Sequence, residues 1–276
     1  MRLLTWDLPR AESGNTEAME RAKVTAYLLD WHEEGPVKKR PAVVICPGGG
    51  YHRLSPREGE PVAMEYLAMG YHVFVLRYTV APGRFPQSLW ELASLVAHIR
   101  DHSEEWSIDP QKVVVSGFSA GGHLAGSLGV FWNREFVYGP LGRKAEEIRP
   151  DGMILCYPVI SSGKYCHAGS FENLLGEEAN EEEKRGLVSL EKQAGPHTPR
   201  TFLWHTATDE TVPVQNSLLF ADALIKSGVN VEFHLFPSGG HGLSLAREDT
   251  SKGQACLVEP GCQCWIRLAG EWMKRI

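Results

Sequence analysis

The chain has 276 residues, 43% hydrophobic and 22% charged, with a formal charge of −6. That length suits one large α/β domain whose core needs no disulfide or metal staple. The acidic balance argues against nucleic acid or an anionic membrane surface as a partner, because both reward a basic excess. The N-terminal run MRLLTWDLPR is interrupted by Asp7 and Pro9 and is too short for an export signal. No stretch approaches the ~20 apolar residues of a membrane span, so a cytoplasmic protein is expected.

Strand-like and helix-like segments alternate along most of the chain. LLTWDL (3–8) and AKVTAYLLD (22–30) read as antiparallel edge strands. AVVIC (42–46), YHVFVL (71–76), KVVVSG (112–117), GMILCY (152–157), TFLWHT (201–206) and VEFHLF (231–236) are apolar or β-branched runs suited to strands buried on both faces. Between them, 60–70, 88–102, 122–132 and 214–228 read as helices, the last three with apolar residues at three- and four-residue spacing. Gly70 and Gly228 stand where a helix C-cap glycine is expected. Such alternation predicts an α/β protein with a mostly parallel central sheet of about eight strands and helices on both faces. From Asn133 to Arg200 one strand interrupts a stretch of loop and charge. The segment 161–200 reads as an insertion, either a lid over the site or surface decoration. Its acidic run at 177–183 suits the solvated face or first turn of a surface helix.

Cys46, Cys156, Cys166, Cys256, Cys262 and Cys264 form no CxxC pair, and Cys262 and Cys264 read as ordinary thiols on a helix. No metal and no cofactor is expected.

The most informative motif is Gly117-Phe118-Ser119-Ala120-Gly121, set between a β-branched run and a helix pattern. A serine there sits on a sharp strand-to-helix turn that only small neighbours allow to close, with its hydroxyl raised above the sheet edge. Pro47-Gly48-Gly49-Gly50-Tyr51 follows the strand AVVIC and offers unobstructed backbone N–H groups. Those of Gly49 and Gly50, with that of Ala120, form a candidate oxyanion hole. An acid follows one late strand (Asp209, with Glu210 as the alternative), and a histidine follows the next, His241 among glycines. The order Ser119, Asp209, His241 is that of α/β hydrolases rather than of chymotrypsin-like or subtilisin-like proteases. His72, His205 and His234 lie inside strand runs and read as structural. Tyr51, His52 and Arg53, beside the glycines, and Val212, just past the acid, are candidate substrate contacts.

The segments CPGGGYHRLSPREGEPVAMEYLAMGYHVFVLRYTVAP, IDPQKVVVSGFSAGGHLA, WHTATDETVPVQNSLLFADAL and FPSGGHGLSL together resemble the acetyl-xylan esterase and carbohydrate-esterase-like branch of the α/β-hydrolase superfamily. The resemblance spans most of residues 42–245. It implies the α/β-hydrolase fold and hydrolysis of short acyl esters, often acetyl groups on sugars, with a small ester or acetylated oligosaccharide as partner. The chain departs from the hormone-sensitive lipase pattern, carrying Pro47 where those enzymes have histidine. A prolyl-oligopeptidase-like peptidase, a feruloyl esterase, a lipase and a non-catalytic ligand-binding hydrolase remain alternatives. The sequence is compatible with a homo-oligomer and does not set the number of copies.

Overall fold

A computed structural model describes residues 1–8, 21–30 and 39–276. Pro9, used above in reading the N-terminal run, lies outside the described residues. Among the described residues eight strands form one sheet: β1 (Arg2–Asp7), β2 (Lys23–Leu28), β3 (Arg40–Cys46), β4 (His72–Arg77), β5 (Ile108–Phe118), β6 (Gly152–Cys156), β7 (Thr201–Thr206) and β8 (Val231–Phe236). Their spatial order is β1-β2-β4-β3-β5-β6-β7-β8. The pairs β1–β2 and β2–β4 are antiparallel and all later pairs parallel, as the sequence predicts. The chain thus has the α/β class expected of it.

The helices are α1 (Glu60–Ala68), α2 (Gln87–Asp101), α3 (Ala120–Phe131), α4 (Glu135–Tyr138), α5 (Ala145–Ile148), α6 (Ala168–Leu175), α7 (Glu182–Leu187), α8 (Gln215–Lys226) and α9 (Trp265–Met273). The central strands feed two cores because successive side chains point to opposite faces. On β3, Ala42, Val44 and Cys46 join Leu92 of α2, Leu124 of α3 and Phe220 of α8. Val43 and Ile45 join Val62 and Tyr66 of α1 and Trp265 and Trp272 of α9. Among the described residues no helix is long and apolar enough to cross a membrane.

Two regions differ from the sequence expectation. The stretch 133–200, expected as loop and charge around β6, contains α4, α5, α6 and α7, short helices whose few apolar residues give too little period to register. In the insertion Phe171, Leu174, Leu175, Val188 and Leu190 are buried, so it is packed against the body of the protein. The acidic run forms a 3₁₀ turn, Gly176–Asn180, and the first turn of α7. At the C-terminus, Cys262 and Cys264 precede α9 instead of lying on it, and both are free thiols.

Helix α9 also supports the carboxyl edge of the sheet. Trp265 is fully buried, stacks on Trp204 with centroids 5.3 Å apart, and donates from Nε1 to the Ser244 carbonyl at 2.9 Å. Ser244 lies three residues beyond His241, so this contact ties the histidine loop to the core. Trp265→Ala is expected to destabilise the protein by about 3–5 kcal/mol, the scale for emptying a buried aromatic site. Trp265→Phe, which loses mainly the hydrogen bond and part of the ring, should cost less. Equilibrium denaturation of the two variants checks both the size and the order.

Candidate active site

The ends of β3, β5, β7 and β8 bring the sequence-predicted residues to one edge of the sheet. Ser119 follows β5 with φ 53° and ψ −118°, a left-handed conformation unusual for a residue with a side chain. Its neighbours explain how the turn closes. A Cβ on Gly117 would stand 2.1 Å from the Gly121 carbonyl oxygen, and one on Gly121 would stand 2.1 Å from that of Cys46. The Ser119 amide donates to the Cys156 carbonyl at 3.0 Å, which locks the turn to the end of β6.

Three side chains form a continuous hydrogen-bonded chain. Ser119 Oγ lies 2.7 Å from His241 Nε2, and His241 Nδ1 lies 2.7 Å from Asp209 Oδ2. Asp209 Oδ1 accepts the amides of Thr211 at 3.0 Å and Val212 at 2.9 Å, and Oδ2 is also 3.2 Å from His205 Nε2. Burial opposes ionisation of Asp209. Hydrogen bonds from His205 and His241, His241's charge and the Val212 amide outweigh it and hold the carboxyl well below its usual range. A carboxylate only accepts, so Nδ1 of His241 must carry the proton and Nε2 is left to accept from Ser119. Glu210, the alternative acid, is exposed and stands outside this chain.

His205 is the structural residue that its place in β7 predicts. Nε2 faces two acceptors, Asp209 and the Val212 carbonyl at 2.9 Å, and Nδ1 meets Ser217 Oγ at 2.7 Å. It is fully buried, whereas His241 keeps a partly exposed ring.

The glycine loop packs directly on the serine. A Cβ on Gly48 would lie 3.0 Å from Ser119 Cβ. The Gly48 amide is already engaged, donating to Glu58 Oε2 at 2.8 Å. Among the described residues no acceptor takes the amides of Gly49, Gly50 or Ala120, the three expected to receive an oxyanion. Ala120 is the first residue of α3, where N–H groups have no helical partner and the helix dipole favours negative charge.

The candidate substrate contacts fare differently. Tyr51 does not border an open site: it is 3% exposed, and its hydroxyl lies 2.9 Å from His123 Nδ1. The cause is its own backbone, which at φ 55° turns the side chain into the core beneath the insertion. Val212 is likewise fully buried, contributing backbone groups to Asp209 and His205 rather than a side chain to the surface. His52 and Arg53 are exposed beside the glycine loop and hydrogen-bond to neither Ser119 nor His241 through their side chains.

Two groups escaped sequence reasoning. Glu58, inside the charged string PREGE, is 2% exposed and accepts Tyr157 Oη on Oε1 at 2.7 Å as well as the Gly48 amide. Tyr157 in turn accepts the Ser244 amide at 2.8 Å, and its ring stands edge-on to His241 at 5.2 Å. His123, four residues after Ser119, bridges Tyr51 to the insertion by donating from Nε2 to the Val188 carbonyl at 2.8 Å.

The chain is similar along most of its length to known proteins. Residues 31–224 match the family model BD-FAE, more than half of the chain, and the chain belongs to that family. It is 40% identical over 219 residues to endo-1,4-beta-xylanase B of Butyrivibrio fibrisolvens, covering 78% of this chain and 34% of that protein. It is 31% identical over 209 residues to the acetylxylan esterase of Xylanibacter ruminicola, covering 74% of this chain and 41% of that one. The chain thus spans well under half the length of these relatives. A crystal structure of an acetyl ester-xyloside bifunctional hydrolase from Caldicellulosiruptor lactoaceticus superimposes with a TM-score of 0.82 at 36% identity, over 96% of this chain and 92% of the other. The fold is that of the α/β hydrolases, and the resemblance to acetyl-xylan esterases drawn from the motifs holds.

Asp209→Asn is expected to lower turnover of a nitrophenyl ester on the order of 10⁴-fold, because an amide can present a donor to Nδ1 and stabilise the wrong tautomer. Glu210→Gln should leave turnover nearly unchanged. The reverse ranking would remove Asp209 from the acid position.

Burial lowers the His123 pKa to about 4, with the Val188 hydrogen bond opposing the shift only in part. The unfolded chain takes up a proton near about pH 6.5. Below that the unfolded state binds more protons than the folded one, so stability rises with pH between about 4 and 6.5 and is lost on acidification through that window. The slope of Tm against pH from 7.5 to 5 is expected to be shallower in His123→Asn than in the parent protein, and an unchanged slope would exclude His123 as a contributor.

Proposed function

We propose that this chain is a serine carboxylic ester hydrolase that removes acetyl groups from xylan-derived or similarly acetylated sugars. One observation carries the reading: the unbroken chain Ser119–His241–Asp209, with 2.7 Å at each link, ends beside backbone amides with no acceptor among the described residues. Membership in the BD-FAE family and the names of the xylan-related relatives support the esterase class and the sugar direction.

In this mechanism His241 Nε2 takes the Ser119 proton as Oγ attacks the ester carbonyl. The carbonyl oxygen gains negative charge and is received by the amides of Gly49, Gly50 and Ala120. Asp209 holds the imidazole in its tautomer and stabilises the imidazolium. The alcohol departs with the proton from His241. Water, deprotonated by the same nitrogen, then attacks the acyl-enzyme and releases the acid and free Ser119 Oγ–H.

The short acyl preference rests on the surroundings of this site. Exposed His52 and Arg53 flank the glycine loop, and the insertion beside it presents the partly exposed, polar His167. Such a border favours a hydroxylated alcohol over a fatty chain. The expected order of kcat/KM is acetyl over butyryl nitrophenyl esters, with octanoyl hardly cleaved, together with acetate release from acetylated xylo-oligosaccharides. Ser119→Ala should abolish both activities by about 10⁴-fold or more with the fold intact, and should abolish labelling by a fluorophosphonate. Faster octanoyl than acetyl cleavage defeats the short-acyl reading. A folded Ser119→Ala variant with parental activity defeats the nucleophile.

A further inference from the structure

Helix α6 of the insertion lies against the oxyanion loop. Asn173 Nδ2 donates to the Gly50 carbonyl at 3.0 Å, and Ser170 Oγ and His167 Cε1 stand 3.8 and 3.9 Å from the point a Cβ on Gly50 would occupy. His167 therefore borders the same glycine whose amide is proposed to receive the oxyanion. It also lies close enough to His241 and Asp209 to feel both charges. The imidazole thus borders the glycine loop within electrostatic reach of His241 and Asp209.

Among the described residues the ring has one hydrogen-bond partner, Ser170 Oγ, 2.8 Å from Nδ1. His167 occupies the N-cap position of α6, yet its side chain caps nothing there. Ser170 is 1% exposed, and among the described residues its hydroxyl has no other acceptor than Nδ1. A buried hydroxyl proton without an acceptor is costly, so Ser170 donates and Nδ1 accepts. The His167 proton is thereby placed on Nε2, which has no partner among the described residues. Burial first, and then the charge of His241, lower the His167 pKa and favour a neutral ring.

We propose that His167 contacts the substrate, its Nε2–H donating a hydrogen bond to a hydroxyl or ring oxygen on the alcohol side of the ester, next to the acetylated position of a sugar. This rests on the deacetylation mechanism above. An acetyl group offers one polar atom besides the ester oxygen, its carbonyl oxygen, and that atom is assigned to the amides of Gly49, Gly50 and Ala120. A further donor beside the site is useful only to oxygens on the alcohol. A neutral N–H suits neutral sugar oxygens, and its orientation is fixed in advance by Ser170.

The test compares kcat/KM for acetate release from acetylated xylo-oligosaccharides with kcat/KM for 4-nitrophenyl acetate, whose leaving group carries no hydroxyl beside the ester. In His167→Ala the oligosaccharide value is expected to fall about tenfold, mainly through KM, the scale of one lost hydrogen bond. The nitrophenyl acetate value should stay within about twofold, because its transition-state contacts are untouched. His167→Gln, which keeps an N–H donor, should recover part of the loss. Equal losses on both substrates, as a merely structural residue would give, overturn the inference, as does full oligosaccharide activity in His167→Ala. A parent enzyme that cleaves nitrophenyl acetate but releases no acetate from the oligosaccharides overturns the sugar reading and this inference with it.

Discussion

A backbone carbonyl and a missing side chain fix the distances on which the site depends. Gly121 approaches the last residue of β3 so closely that a Cβ would meet the carbonyl oxygens of Cys46 and Pro47 at 2.1 and 2.4 Å. This contact sets the start of α3 against the start of the glycine loop. The Ala120 amide and the amides of Gly49 and Gly50 are therefore held in a common frame by main chain alone. The same tight turn forces Ser119 to a positive φ, a conformation that costs about 1–3 kcal/mol where a side chain is present. The rest of the sheet supplies that cost: β5 is central, paired on both sides, and buried against two helical layers. A serine raised in this way needs no flexible segment to present its hydroxyl.

The loops that carry the remaining groups come from different strands, and a buried polar chain joins them. Glu58 receives the Gly48 amide and the Tyr157 hydroxyl, and Tyr157 receives the Ser244 amide. Arg57 adds donors to the carbonyls of Thr250 at 2.6 Å and Gly242 at 2.8 Å. A carboxylate taken from water is expensive unless its oxygens find donors, and here each oxygen has one. The chain runs from the glycine loop to the histidine loop without passing through Ser119. It therefore sets the spacing of the proposed oxyanion amides and the proposed base without depending on Ser119.

Much of this was legible in the sequence, and the parts that were not share a physical reason. The parallel strands announce themselves because both their faces are buried, leaving continuous runs such as AVVIC and TFLWHT. Ser119 is legible because its turn demands glycines at fixed offsets, and Asp209 and His241 because each follows a strand end. Glu58 was not, since a glutamate in PREGE reads as solvated and only its distant partner Tyr157 shows otherwise. Tyr51 reads as a substrate contact because it adjoins the glycines, while its positive φ and its contact with His123 depend on the insertion and on α3. Helix α6 is short and its apolar residues Phe171, Leu174 and Leu175 are few, so its period is lost among neighbouring charges. Local pattern encodes elements and turns, whereas long-range polar pairing has no period to read.

Asp209 shows how such pairing shapes the chemistry proposed for the site. Its two oxygens have four hydrogen-bonding neighbours: the amides of Thr211 and Val212 on Oδ1, and His205 and His241 on Oδ2. A carboxylate has about four lone-pair positions, so it is saturated. A saturated acid stays ionised and does not rotate, which fixes the direction of its bond to His241. Sharing Oδ2 with His205 spreads the charge over two imidazoles, and the longer link of 3.2 Å leaves the shorter one of 2.7 Å to His241. The second histidine does not compete for the role of base, because Ser217 and the Val212 carbonyl occupy its remaining hydrogen-bonding directions and it is fully buried. It instead presents Nε2 to Asp209 Oδ2 from a fixed, fully buried position. The arrangement fixes the orientation of the proposed base.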